Sequence, residues 1–229
     1  LARWIYEDER RQGGVTESEL VDQAAAFLSE HRFDDPHKAA HAARAFIEFC
    51  RGRAWVFTDT GSTEGGEPLY QFTHRTFLEY FTARYLVATN PTALGLARLL
   101  LPHVESSEWD VIAQLAFQIK ARATIGDADE LLTLALDRAG DIGSATKRAA
   151  LLGFGGRCLQ FLVPKPATVR RLVSDTVASL LDSASNRSNR YKVELTDSLT
   201  TALGSLMAAR AENREAVTDS LMSTSKGSM

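Results

Sequence analysis

Over most of this chain the apolar residues fall at helical spacing, and one short stretch alternates instead. Thr16-Glu17-Ser18-Glu19 has the spacing of a capping box and is followed by Leu20, Val21, Ala24, Phe27 and Leu28 on one face, which predicts a helix with a marked start. Asp35-Pro36 supplies an N-cap and an N1 proline for a second helix carrying Ala39, Ala43, Phe46, Ile47 and Cys50. The period then changes to two. Ala54 to Asp59 is aromatic and β-branched, and Leu69, Gln71 and Thr73 alternate with Tyr70 and Phe72. Two short strands around the Gly-rich segment Thr60 to Glu67 read as a β-hairpin. From Arg75 helical spacing returns with Phe77, Tyr80, Phe81, Tyr85 and Ala88, and Asn90-Pro91 ends that helix. The expected core of this unit is Phe27, Phe46, Trp55, Phe57, Phe72, Phe77 and Phe81.

Beyond Pro91 the pattern is helix upon helix. Trp109 to Ile119 marks one, Leu131 to Ala135 a short one, Leu151 to Leu162 another, and Pro166 opens a well-patterned helix that Ser183 to Asn189 breaks. A long helix carries Leu195, Leu199, Ala202, Leu203 and Leu206, and a weaker one carries Val217 and Leu221. Pairs of this kind, about 40 residues each, have the size of HEAT-like units. The expected fold is therefore mainly α: a winged-helix-like module with one hairpin and a preceding helical linker over residues 1–90, then antiparallel helix pairs over residues 91–229.

The alternating strand and the helix after it meet at His74. The backbone amides at a helix start are unpaired and its dipole is positive, so the place attracts anions. An imidazole there can donate a hydrogen bond to phosphate when neutral and gains charge assistance when protonated. It can also simply cap the helix or bond a nearby carbonyl.

Phe72-Thr73-His74, then Phe77, Glu79-Tyr80-Phe81 and Ala83, resembles the winged-helix signature of NACHT-type signal-transduction NTPases. The preceding hairpin and Trp109-Asp110-Val111-Ile112 are also similar to that family, so the resemblance covers about residues 50–115 closely. It implies an upstream NACHT domain of the same polypeptide that binds ATP or ADP, with the histidine reaching back to the ADP phosphates and holding a closed, inactive state. His74 would take that role, with Phe72, Phe77, Glu79 and Tyr80 as the supporting motif. Glu79 is explained equally well as a helix-surface carboxylate paired with Arg75 or Arg84. The family analogy further implies a C-terminal helical array that senses a trigger, a signalling or defence role, and an oligomer of the parent protein. The segments Gly61–Glu67 and Asn90-Pro91 are candidate hinges.

The NTPase machinery is not in these residues. A Walker A loop needs Lys followed by Ser or Thr, whereas Lys38, Lys120, Lys147, Lys165, Lys192 and Lys226 precede Ala39, Ala121, Arg148, Pro166, Val193 and Gly227. Gly153-Phe154-Gly155-Gly156 reads as a helix kink or close-packing site. The chain opens on Leu1, so it is expected to be part of a longer polypeptide, with no catalysis and no cofactor of its own.

Other chemistry is sparse. His37 and His41 share one helix face, but no third metal ligand is evident and a solvated face is the expectation. His31 and His103 lie near expected helix ends. Cys50 and Cys158 are expected to be buried free thiols, which fits a reducing, cytoplasmic setting. Arg170, Arg171, Arg187, Arg190 and Lys192 are expected to be ordinary solvated surface. With 229 residues, 45% of them hydrophobic, there is material for a sizeable core. Arg98 interrupts the best candidate for a membrane span. A formal net charge of -3 argues against nucleic acid as the main partner. Two alternatives remain: a HEAT-like scaffold without nucleotide linkage, in which His74 is buried, and a winged-helix DNA-binding regulator.

Overall fold

The structure, a computed structural model, describes the backbone of residues 1–185 and 191–227 and the side chains of 1–183 and 198–223. It is mainly helical with one small antiparallel sheet. The chain divides into two compact units, Leu1–Tyr85 and Leu86–Met229.

In the first unit two short helices, α1 (Ala2–Tyr6) and α2 (Glu9–Gly13), lead into strand β1 (Val15–Thr16), then α3 (Glu17–His31) and α4 (Pro36–Gly52), the hairpin strands β2 (Phe57–Ser62) and β3 (Pro68–Phe72), and α5 (Arg75–Thr89). The unit boundary falls inside α5, slightly ahead of the expected break at residue 90. The start signals act as expected. Thr16 Oγ1 accepts from the Glu19 amide at 3.2 Å while Glu19 Oε2 accepts from the Thr16 amide at 2.9 Å, and Asp35 Oδ1 accepts from the His37 amide at 2.9 Å.

The sheet has a third strand that was not expected. β1 pairs with β3 on the side away from β2, matching Val15 with Tyr70, so the order is β1-β3-β2. Its two residues are too few to show an alternation in sequence. Between β2 and β3 the register matches Phe57 with Phe72 and Asp59 with Tyr70, then slips between Asp59 and Gly61. Gly61 there has φ +130, a conformation that side-chain-bearing residues rarely adopt. Tyr70 and Phe72 are buried, as the alternation requires.

The expected aromatic core needs correcting. Phe57 and Phe72 are buried, but Phe27, Phe46, Trp55, Phe77 and Phe81 are exposed. The core is built instead from small and aliphatic residues, among them Ile5, Val15, Leu20, Ala24, Ala43, Ile47, Cys50 and Leu78. Along α4 the buried stripe is Ala39, Ala43, Ile47 and Cys50, and Phe46 lies at its edge. Along α5 the buried residues are Leu78, Glu79, Thr82, Ala83 and Leu86. The aromatic stripe Phe77-Phe81-Tyr85 is therefore one residue, or about 100°, away from the inward face.

The second unit holds α6 (Ala93–Glu105), α7 (Asp110–Ala123), α8 (Asp127–Asp141), α9 (Ala145–Cys158), α10 (Pro166–Ser185), α11 (Tyr191–Met207) and α12 (Ala211–Gly227). α6 falls in the region read as helical, with no bounds of its own given in sequence, and His103 lies in its last turn, near a helix end as expected. Its Leu- and Ala-rich run contains Pro102, yet the helix continues to Glu105. α8 is a full helix of 15 residues where a short one was expected. The break expected from Ser183 to Asn189 falls after Ser185, and residues 186–190 lie outside the described residues.

The packing is that of two rows. α6, α8, α10 and α12 contact one another in succession, α7, α9 and α11 do the same, and each helix also contacts its chain neighbour across the rows. Short connections between contacting helices make antiparallel pairs. α9 additionally contacts α6 and carries the interior, with Leu151, Leu152, Phe154 and Cys158 buried and Phe154 meeting Phe117 edge-to-face at 5.1 Å. Its glycines are close-packing sites. A Cβ on Gly156 would lie 3.1 Å from the Ala202 carbonyl oxygen of α11, and one on Gly155 3.1 Å from Leu172 of α10.

Candidate functional site around His74

Two hydrogen bonds fix the end of β3. The Thr73 amide donates to the Val56 carbonyl at 2.9 Å, and Thr73 Oγ1 donates to the Trp55 carbonyl at 2.7 Å. The chain then turns, and the His74 carbonyl accepts from the amides of Phe77 (3.0 Å) and Leu78 (3.4 Å), closing the first turn of α5. His74 thus caps the helix through its backbone. Its imidazole is exposed, rests edge-on against Phe77 with ring centroids 5.4 Å apart, and has no hydrogen-bond partner among the described residues.

Beside it, Arg75 Nε donates to Glu79 Oε1 at 2.9 Å. The Glu79 carboxylate is buried and the Arg75 side chain is 70% exposed, so Glu79 is an inward-facing partner of Arg75 and not a surface carboxylate. The helix start and the exposed imidazole favour an anion, while the charge of Arg75 is offset by Glu79.

The rest of the motif separates into core and surface. Phe72 is buried against Phe57, with ring centroids 4.8 Å apart, and Ala83 is fully buried. Phe77, Tyr80 and Phe81 are about two-fifths exposed and lie in mutual contact, Phe81 also reaching Phe72 at 6.4 Å. Trp55 is 73% exposed and has φ +52, a backbone conformation that costs a bulky residue roughly 1–2 kcal/mol.

The remaining candidates are structural. His37 and His41 are exposed on α4 beside an open depression formed with Phe33, Lys38 and Ala42, and among the described residues no three His, Cys, Asp or Glu converge as a metal cluster would require. His31 Nδ1 lies 2.9 Å from the Phe27 carbonyl oxygen. His103 stacks on Trp109 at 4.0 Å, with Nδ1 3.1 Å from Glu108 Oε2. Cys50 and Cys158 are buried free thiols, both pushed up by burial, Cys158 the more strongly. Arg171 pairs with Asp137 at 2.6 Å and with Asp175 at 3.6 Å, while Arg187, Arg190 and the side chain of Lys192 lie outside the described residues. The hairpin loop is tied at one end. Glu67 Oε1 accepts from the Ser18 hydroxyl (2.5 Å) and amide (3.2 Å), which hold its carboxyl below the ordinary range.

The second unit contains ion pairs between helices that the sequence did not predict, with Glu105, Lys120 and Asp127 buried and Asp110 and Arg157 half-buried. Glu105 of α6 accepts from Arg138 of α8 at 2.5 Å and from Lys147 of α9 at 3.5 Å. Asp110 of α7 accepts two bonds from Arg157 of α9, at 2.5 and 3.2 Å. Lys120 and Asp127 are both buried and lie 3.2 Å apart. Among the described residues no helix is long and apolar enough to cross a membrane. No family model, no curated protein and no solved structure matches the chain.

Proposed function

We propose that this chain is the regulatory and sensing segment of a NACHT-type signal-transduction NTPase. In this reading His74 monitors the phosphates of ADP held by an upstream module of the same polypeptide, and the helical array answers to a trigger in a cytoplasmic signalling or defence pathway. The observation that carries it is the His74 imidazole: exposed, at the start of a helix of 15 residues, and without a hydrogen-bond partner among the described residues. The motif around it and the aromatic surface of Phe77, Tyr80 and Phe81 support a docked neighbour. A scaffold without nucleotide linkage would leave the ring buried. A DNA reader fits poorly, because α4 exposes Phe46 and Phe49 and the wing loop carries Glu64.

The test uses the polypeptide that includes the upstream module. A hydrogen bond to a charged group contributes about 1.5–3 kcal/mol, so His74→Ala is expected to weaken ADP retention roughly 10- to 100-fold. Nucleotide content after gel filtration reads the loss directly. Retention equal to that of the unaltered protein, with the fold intact, refutes the assignment.

A further inference from the structure

The turn between α5 and α6 is closed from both sides. Asn90 ends α5, its amide and its side-chain Nδ2 both donating to the Leu86 carbonyl at 3.0 and 2.9 Å. Thr92 starts α6, its hydroxyl accepting from the Gly95 amide at 3.0 Å. Pro91 between them has no N–H, and its carbonyl takes its bond from far along the chain: Lys120 Nζ, at the end of α7, donates to it at 2.5 Å. Lys120 is 8% exposed, and the carboxylate facing it is Asp127, in the first turn of α8 and equally buried. Asp127 Oδ2 is within ion-pair distance at 3.2 Å but out of line for a hydrogen bond. A lysine is rarely buried without a partner.

We infer that Lys120 is a latch, a positioning residue that fastens the Asn90-Pro91 junction to the α7–α8 turn. The ammonium bridges two elements that share no hydrogen bond through their own backbones: the Pro91 carbonyl on one side and the Asp127 carboxylate on the other. Displacing the end of α7 that leads into this turn carries Lys120 away from both partners and frees the Pro91 carbonyl. Pro91 follows directly on α5, whose other end carries His74. Resting on the function proposed above, the latch is the route by which an event at the helical array reaches the nucleotide-monitoring helix.

Hydrogen exchange of the 229-residue chain tests it without nucleotide. Lys120→Met is expected to speed exchange across residues 86–97 at least tenfold while α9 changes less than twofold, and Lys120→Arg, which keeps the charge, is expected to restore protection. An equal rise throughout the second unit, or no rise, overturns the latch. Should Lys120→Met fail to fold, Asp127→Asn decides on the same criterion with a threefold selective rise. In the nucleotide-bearing polypeptide, ADP loss with His74→Ala but not with Lys120→Met overturns the regulatory role alone. ADP retention insensitive to His74→Ala overturns the functional reading and leaves hydrogen exchange to judge the latch.

Discussion

Asn213 gives the sharpest test of how the helical array is held together. The residue is 2% exposed on α12, and its Nδ2 donates to the carbonyls of Leu159 (3.0 Å) and Leu162 (2.8 Å), just past the end of α9. Truncation to Ala removes both bonds, and the two carbonyls fare differently. Leu159 keeps the Arg210 amide at 3.0 Å, so its loss is about 1 kcal/mol. Leu162 loses its Asn213 donor inside the protein, which costs about 1–3 kcal/mol. The sum, about 2–4 kcal/mol, corresponds to a fall in melting temperature of roughly 5–15 °C for a unit of this size. Thermal melting followed by far-UV circular dichroism reads it. Asn213→Asp is a sharper version, because a carboxylate has no proton to offer two carbonyl oxygens, and its loss is expected to be at least as large. If Asn213→Ala melts within about 1 °C of the unaltered chain, the bonds do not hold α12 and the reasoning fails.

Two further outcomes follow from the same unit. The Arg138 hydrogen bond, opposed by burial and reinforced by Lys147, holds the Glu105 carboxyl below the ordinary carboxylate range. A group with a depressed folded value contributes its stability above its unfolded value, near 4.5, and loses it as pH falls toward the folded one. Glu105→Gln is therefore expected to cost about 1–3 kcal/mol at pH 7, with the gap to the unaltered chain closing as pH falls below the ordinary carboxylate range; a gap constant with pH in urea titrations rules this out. Gly156→Ala and Gly140→Ala are expected to differ in sign. At Gly140 nothing lies within 4 Å of the added Cβ, so helix propensity raises stability by about 0.5–1 kcal/mol. At Gly156 the Ala202 carbonyl oxygen at 3.1 Å belongs to a helix backbone that must shift, and the cost of about 1–3 kcal/mol outweighs that gain. Equal midpoint shifts for the two variants would refute the close-packing role of Gly156.

Local signals were legible where they rest on one or two residues. Thr16 with Glu19, Asp35 with Pro36 and the alternation through Tyr70 and Phe72 all took the roles their chemistry predicts. What could not be read was which face of an amphipathic segment turns inward. On α5 the stripe starting at Phe77 and the stripe starting at Leu78 are both apolar, and the second is buried, since small and aliphatic residues let the elements approach while bulky rings sit at the rim. β1 escaped because two residues carry no period, and the bounds of α6 were not drawn because its run is apolar on nearly every face. At the site, the strand-to-helix corner was visible in the change of period at His74. The Lys120–Asp127 pair was not, because its partner Pro91 is brought to it only by the tertiary fold.

α9 changes what kind of array this is. In a simple stack each layer touches only the next, and the ends can fray while the middle stands. Here one helix meets α6, α7, α8, α10 and α11, so early and late helices share a single hub, while the last helix, α12, packs on α10 and α11. A perturbation at α6 and one at α11 therefore meet in the same helix, which a stack of nearest neighbours does not allow.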